Sequence, residues 1–417
     1  MTSHSARSAR SVLAAAITLA PLALLPLSPS LVAAQMRLGG PPPRVVPLGQ
    51  RQVVPYVDSL LAPLAARGWF SGAVLLARDG VPLVAKAYGL ADRGRGVANT
   101  VDTRFNVGSM NKMMTAVAVL QLAEAGKLAL GDRVGRWLPD YPVAAVRERV
   151  TIAQLLSHRS GLGSYWNDRF QRERLTIREV SDYLALFSTD SLLSPPGTRW
   201  EYSNAGFVVL GAIIERVTGM RYEDYLRARV LRPAGMVATD FSALADSAPS
   251  RAVGYMREGG FRGAARPDTS ASAPGFVPNW GILPNRGGPA GGGYTTVTDL
   301  LNFDRALRGG RLLSAAWRDS LWTVRNAELM DPNNPQQRIM PYGYGFGVQT
   351  SPMGTVVGHT GGTPGAGATF DMYLGNGYTI AILANVDGPG LFIARSVLDA
   401  ALKGLEQGLE QGRKQGL

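Results

Sequence analysis

The sequence predicts an α/β fold of the α+β kind, in which an antiparallel sheet built from N- and C-terminal segments is flanked by helices and split by a large helical insertion. Three observations point there. Strand-like, hairpin-spaced segments occur near both ends of the chain, the middle carries recurrent helix-start signals, and the last strand-like segments are followed by an amphipathic helix. With 417 residues and 46% hydrophobic content, the chain is long enough to bury a large core.

The first 34 residues read as a secretory signal. Arg7 and Arg10 precede an apolar stretch from Val12 to Leu27, and Val32-Ala33-Ala34 offers small residues for cleavage before Gln35. Pro21 and Pro26 interrupt the apolar stretch, so stable membrane insertion after signal removal is not expected. A secreted or periplasmic location follows, in keeping with a chain that has no cysteine and so neither disulfides nor a cysteine-linked lipid anchor. Residues 35–50 form a proline-rich linker, expected to be extended and poorly packed.

The folded domain is expected over residues 51–403, with its sheet region in about 51–108 and 340–403 and a mostly helical region in about 109–339. Apolar residues at helical spacing in "VVPYVDSLLAPLAA" predict a first helix. "GAVLLARDGVPLVAKAYGLA" reads as two strands joined at Asp79-Gly80. Within the insertion, Thr151…Gln154, Thr176…Glu179 and Thr296…Asp299 have capping-box spacing, and "GFVVLGAIIERVTG" is an apolar helix closed by Gly219. Residues 243–293 are dense in Gly, Pro and Ser, the kind of long loop that borders functional sites. "GYGFGVQT", "GTVVGHT", "GATFDMYL" and "YTIAILANV" return to strand, the last two joined at Gly375-Asn376-Gly377. A final helix is expected from about Leu391 to Lys403, and residues 404–417, "GLEQGLEQGRKQGL", read as a low-complexity tail that frays.

The net charge of +12 is scattered along the chain and comes with no nucleic-acid motif, so nucleic acid is excluded as a partner. Of 43 basic residues only five are lysine, at 86, 112, 127, 403 and 414. That scarcity singles out Lys112, because burial can deprotonate an amine at neutral pH whereas a guanidinium stays charged.

Lys112 lies one helical turn after Ser109 in "FNVGSMNKMMTA". Residues i and i+3 share a helix face, so hydroxyl and amine can meet where the helix N-terminus favours a developing alkoxide. Tyr202-Ser203-Asn204 places a phenol and a carboxamide two residues apart, able to enter one cleft together. The phenol can shuttle a proton if neighbouring cations lower its pKa, and the carboxamide can orient lysine and substrate. His359-Thr360-Gly361-Gly362 ends a strand whose small residues allow substrate along its edge. There the Gly362 N–H can pair with that of Ser109 as an oxyanion hole.

Together these residues resemble the serine β-lactamase and penicillin-binding-protein superfamily, in its class C β-lactamase-related branch, which also holds D-Ala-D-Ala carboxypeptidases, D-aminopeptidases and esterases. "LLSHRSGL" at 155–162, "PGTRWEYSNAGFVVLGAIIERVTG" at 196–219 and "GGGYTTVTDLLNF" at 291–303 extend the resemblance over about residues 52–400. It implies a β-lactamase-like fold and a serine hydrolase that works through an acyl-enzyme on small-molecule or peptide substrates, without cofactor or metal. It assigns Ser109 as acylated nucleophile, Lys112 as proton acceptor, Tyr202 as proton relay, and Asn204, His359, Thr360 and Gly361 as substrate-binding or orienting groups. Histidine at 359 replaces the lysine usual in β-lactamases and transpeptidases, which ranks an esterase or peptidase above a D-Ala-D-Ala carboxypeptidase and a β-lactamase last. A catalytically silent peptidoglycan- or partner-binding protein is the alternative of another class. His158, the other histidine outside the signal, is expected to be structural.

Overall fold

A computed structural model describes residues 42–244, 246, 250–258, 275–330 and 339–415. The signal-peptide segment lies outside the described residues. The elements that position the site are α1 (Val53–Ala66), β1 (Gly72–Arg78), β2 (Val81–Tyr88), α2 (Asn111–Glu124), α3 (Asn204–Thr218), α4 (Val297–Arg308), β3 (Gly347–Ser351), β4 (Gly354–Thr363), β5 (Ala366–Tyr373), β6 (Tyr378–Ala384) and α5 (Gly390–Lys414).

The two ends of the chain meet in a six-stranded sheet of order β2-β1-β6-β5-β4-β3. Every neighbouring pair is antiparallel, and the seam between the two halves is β1 on β6, with Gly72 opposite Ala384 and Arg78 opposite Tyr378. β1 reads as a continuous apolar run rather than an alternating one because both faces of the sheet are covered. Val74, Leu76, Ile380 and Ile382 face a smaller core closed by α1 and α5, while Ala73, Leu75, Ala381 and Leu383 face the larger core of the helical region. α2 runs through that larger core and is buried on nearly every side from Asn111 to Ala123.

Local signals explain several helix starts. Thr151 and Gln154 form the capping box of the helix Ile152–Leu156, and Thr296 accepts from the Asp299 N–H at the start of α4. The third box falls elsewhere. The helix Val180–Ala185 is capped by Glu179 with Asp182, whose carboxylate accepts from the Arg178 and Glu179 N–H groups, while the Thr176 hydroxyl donates to the Glu173 carbonyl. α3 ends as anticipated at Gly219, in left-handed conformation at φ 68°.

Both ends of the domain depart from expectation. α5 does not stop near Lys403 but continues to Lys414, and the segment 42–49 is not a loose linker. Leu48 is buried and its N–H donates to the Gly404 carbonyl at 2.9 Å, while the Tyr56 hydroxyl donates to the Arg44 carbonyl at 2.8 Å. The physical reason lies in the glycines of the tail. A Cβ at Gly404 would stand 2.3 Å from the Val46 carbonyl oxygen, and one at Gly408 2.3 Å from that of Leu48, so bare backbone lets the N-terminal segment lie directly on the helix. Leu405 is buried by the same docking.

Candidate active site

Ser109 sits in a 3₁₀ turn, Gly108–Met110, that feeds α2. Gly108 has φ +47°, and a Cβ there would lie 2.5 Å from the Gly362 nitrogen. Gly361 allows an equally close approach from the other side, since its Cβ would fall 1.8 Å from the Val107 carbonyl oxygen. These two glycines let β4 press against the turn that carries the serine. β3 pairs with β4 only from Gly354 to Gly358, so residues 359–363 are not covered by β3.

Lys112, one turn into the helix, is completely buried. Its Nζ lies 2.6 Å from the Ala290 carbonyl oxygen, 2.8 Å from Asn204 Oδ1 and 3.2 Å from Ser109 Oγ, and stands 4.8 Å from the centre of the Tyr202 ring. No carboxylate is among these partners. Burial therefore drives the Lys112 pKa well below the usual lysine range. A neutral amine fits the three contacts: two N–H bonds serve the carbonyl and carboxamide oxygens, and the lone pair faces the one partner that can donate, the Ser109 hydroxyl.

Tyr202 and Asn204 are delivered by the start of α3. Ser203 is the N-cap, with its hydroxyl accepting from the Gly206 N–H at 2.8 Å and donating to the Gly163 carbonyl at 2.9 Å. The Asn204 amide is oriented by Ser164, to whose Oγ its Nδ2 donates at 3.2 Å. Tyr202 is within hydrogen-bond reach of Ser109, but its pKa is raised, because burial outweighs the hydroxyl's stabilisation of a phenolate. The phenol therefore stays neutral, and no cation among the described residues lowers it.

His359 is 5% exposed, with its ring centre 6.3 Å from that of Tyr202. Its Nδ1 meets the Thr360 carbonyl, and its Nε2 lies 3.0 Å from the buried Tyr342 hydroxyl. Burial pushes its pKa down to about 3, so it is a neutral ring with both nitrogens engaged. Thr360, Gly361 and Gly362 are each partly exposed along the strand.

The structure thus brings Ser109, Lys112, Tyr202 and Asn204 into contact, with the His359 ring 6.3 Å from that of Tyr202. Sequence reasoning missed Ala290, Ser164 and Tyr342. The glycine-rich run around Ala290 was a usable signal, since Gly291 packs with its Cα facing the Gly108 carbonyl, whereas nothing marked Tyr342. Of the aromatic residues near the motifs, Trp200 packs with Met340 and Tyr342, Trp166 stacks on Tyr165, and Trp280 is exposed.

A serine and a buried lysine joined within one sheet-and-helix fold define the class: a serine hydrolase of β-lactamase fold. Residues 57–402 match the beta-lactamase family model, and the chain belongs to that family. It is 30% identical over 342 residues to penicillin-binding protein 4* of Bacillus subtilis, covering 79% of this chain and 71% of that one. It is 33% identical over 311 residues to penicillin-binding protein 4 of Amycolatopsis lactamdurans, covering 72% and 76%. Among solved structures, a D-stereospecific amidohydrolase from a Streptomyces species superposes with a TM-score of 0.64 at 28% identity, covering 83% of this chain and 98% of that one. Among the described residues, no helix is long and apolar enough to cross a membrane.

Proposed function

We propose that the protein is an exported esterase or amidase that acylates Ser109, acting on substrates whose leaving group carries no free carboxylate. The observation that carries the acyl-enzyme reading is the Lys112 amine, buried 3.2 Å from Ser109 Oγ without a counter-ion among the described residues. In its neutral form Lys112 takes the hydroxyl proton as Ser109 attacks the carbonyl carbon. The Ser109 and Gly362 N–H groups receive the oxyanion, Tyr202 protonates the departing oxygen or nitrogen and recovers its proton from the Lys112 ammonium, and Asn204 holds the Lys112 amine and the substrate. Water then attacks the acyl-serine and releases the acid. Thr360 and Gly361 line the edge along which substrate lies.

The preference for a neutral leaving group is supported by His359. A cation at that position would attract a substrate carboxylate, whereas His359 is uncharged and has no free ring nitrogen. The likeness to a D-stereospecific amidohydrolase supports amides among the substrates. The test is labelling with a fluorophosphonate probe followed by peptide mass spectrometry, run beside a panel of p-nitrophenyl esters, D-amino-acid amides, D-Ala-D-Ala peptides and a chromogenic cephalosporin. The label is expected on Ser109 and turnover on esters and amides; a label elsewhere removes the assignment.

A further inference from the structure

We propose that His158 is a positioning residue for Tyr202, gripping the peptide groups on both sides of it so that the phenol stays in reach of Ser109. The proposal rests on the reading of Tyr202 as the proton relay. Two hydrogen bonds carry it: the His158 carbonyl accepts from the Glu201 N–H at 2.9 Å, and His158 Nδ1 accepts from the Ser203 N–H at 3.1 Å. One residue thus holds, with its main chain and its ring, both neighbours of Tyr202. This double grip accompanies an unusual backbone. His158 has φ +59°, the left-handed region that few side-chain-bearing residues adopt.

The ring also sets the face of Tyr202. The two ring centres are 4.3 Å apart at a tilt of 41°, and the imidazole also packs against Tyr342 at 4.7 Å and Phe207 at 5.2 Å. Because Nδ1 accepts, the proton resides on Nε2 and the ring is neutral. Burial agrees, driving its pKa well below the ordinary value. His158 is fully buried, so it acts through Tyr202 rather than on substrate.

The experiment separates the acceptor from the bulk of the ring. His158→Asn keeps an acceptor close to the Nδ1 position and tolerates the left-handed backbone; His158→Phe keeps a ring and loses the acceptor. His158→Gly, which relaxes the backbone and also lacks the acceptor, covers the case in which the strained Phe variant does not fold. With a p-nitrophenyl ester, His158→Phe and His158→Gly are expected to lower kcat about 30-fold with KM changed less than about threefold, while His158→Asn stays within about fivefold of wild type. Adding His158→Phe to Tyr202→Phe is expected to cost less than about threefold more.

Wild-type kcat in both acceptor-free variants overturns the proposal. So does a His158→Asn enzyme slower than His158→Phe, which would mean that ring packing alone matters, or a full extra loss in the double variant. Tyr202→Phe on its own reports on the underlying reading: wild-type turnover there removes Tyr202 as relay whatever His158 does.

Discussion

The Lys112 amine and the Ser109 hydroxyl lie 3.2 Å apart with no acidic group, among the described residues, in contact with either, the lysine fully buried and the serine half-buried. Burial lowers the pKa of such an amine, which favours the neutral form that the proposed base needs. Lys112→Ala is expected to reduce turnover by about 10³-fold while the protein remains folded, because the side chain acts on a proton rather than holding the core. Lys112→Arg should be equally inactive, since a guanidinium cannot give up its charge. Burst kinetics with a chromogenic ester, beside a thermal melt of each variant, make the check; an active arginine variant rules out lysine as base.

The pH profile follows with a definite sign. As the proposed base, Lys112 must be unprotonated to accept the serine proton, and its pKa is lowered, so kcat/KM is expected to be full above that lowered pKa and lost as pH falls through it. His359, pushed down to about 3, stays neutral over the whole working range and adds no limb of its own between about pH 5 and pH 8. His359→Gln should therefore leave the position of the acid limb unchanged. A limb that moves or vanishes in that variant would transfer the controlling ionisation from Lys112 to the histidine.

Matched substrates probe the neutral His359. For a D-alanyl peptide offered once with a terminal carboxylate and once as the amide, kcat/KM is expected to favour the amide by about tenfold or more, the effect of about 1.4 kcal/mol in relative transition-state stabilisation. Equal or reversed rates would place an unrecognised cation at the substrate's end.

Close approach of β4 to the nucleophile turn depends on Gly361. A methyl group there would stand 1.8 Å from the Val107 carbonyl oxygen and 3.0 Å from the Met110 nitrogen, both backbone atoms that cannot swing aside. Gly361→Ala is expected to lose at least about 2 kcal/mol of stability and nearly all activity. A denaturant titration and the ester assay read both. Thr360→Ala, on a partly exposed side chain, should leave stability within about 0.5 kcal/mol.

The motifs that hold the polar side chains were legible because each is local: Ser109 and Lys112 sit one helical turn apart, and Ser203 caps the helix that begins with Asn204. The sheet was legible at its hairpins, where Asp79-Gly80 and Gly375-Asn376-Gly377 mark the turns. What could not be read was the set of partners that depend on long-range packing. The Ala290 carbonyl reaches Lys112 across 178 positions of sequence, and Tyr342 reaches His359 from a separate segment. The effect of Tyr202's surroundings was likewise hidden, since neighbouring groups raise its pKa through burial, a property of the folded core rather than of any motif. Backbone polar groups and desolvation leave no residue-type signature, which is why the chemistry was clearer than the electrostatics.

The C-terminal helix provides the last prediction, because its glycines misled the sequence reading. In a helix, replacing Gly by Ala ordinarily stabilises by about 1 kcal/mol. Gly412 has open space where a Cβ would go, so Gly412→Ala should raise the melting temperature slightly. Gly404→Ala should do the opposite, since its methyl would meet the Val46 carbonyl oxygen at 2.3 Å and lever the segment around buried Leu48 off the helix. The loss of that docking, with the Leu48 N–H bond to Gly404, is expected to exceed the helix gain and cost about 2 kcal/mol overall. Amide hydrogen exchange at Leu48, faster in Gly404→Ala and unchanged in Gly412→Ala, locates the effect; equal stabilisation by both variants would mean that residues 42–49 contribute nothing to the folded domain.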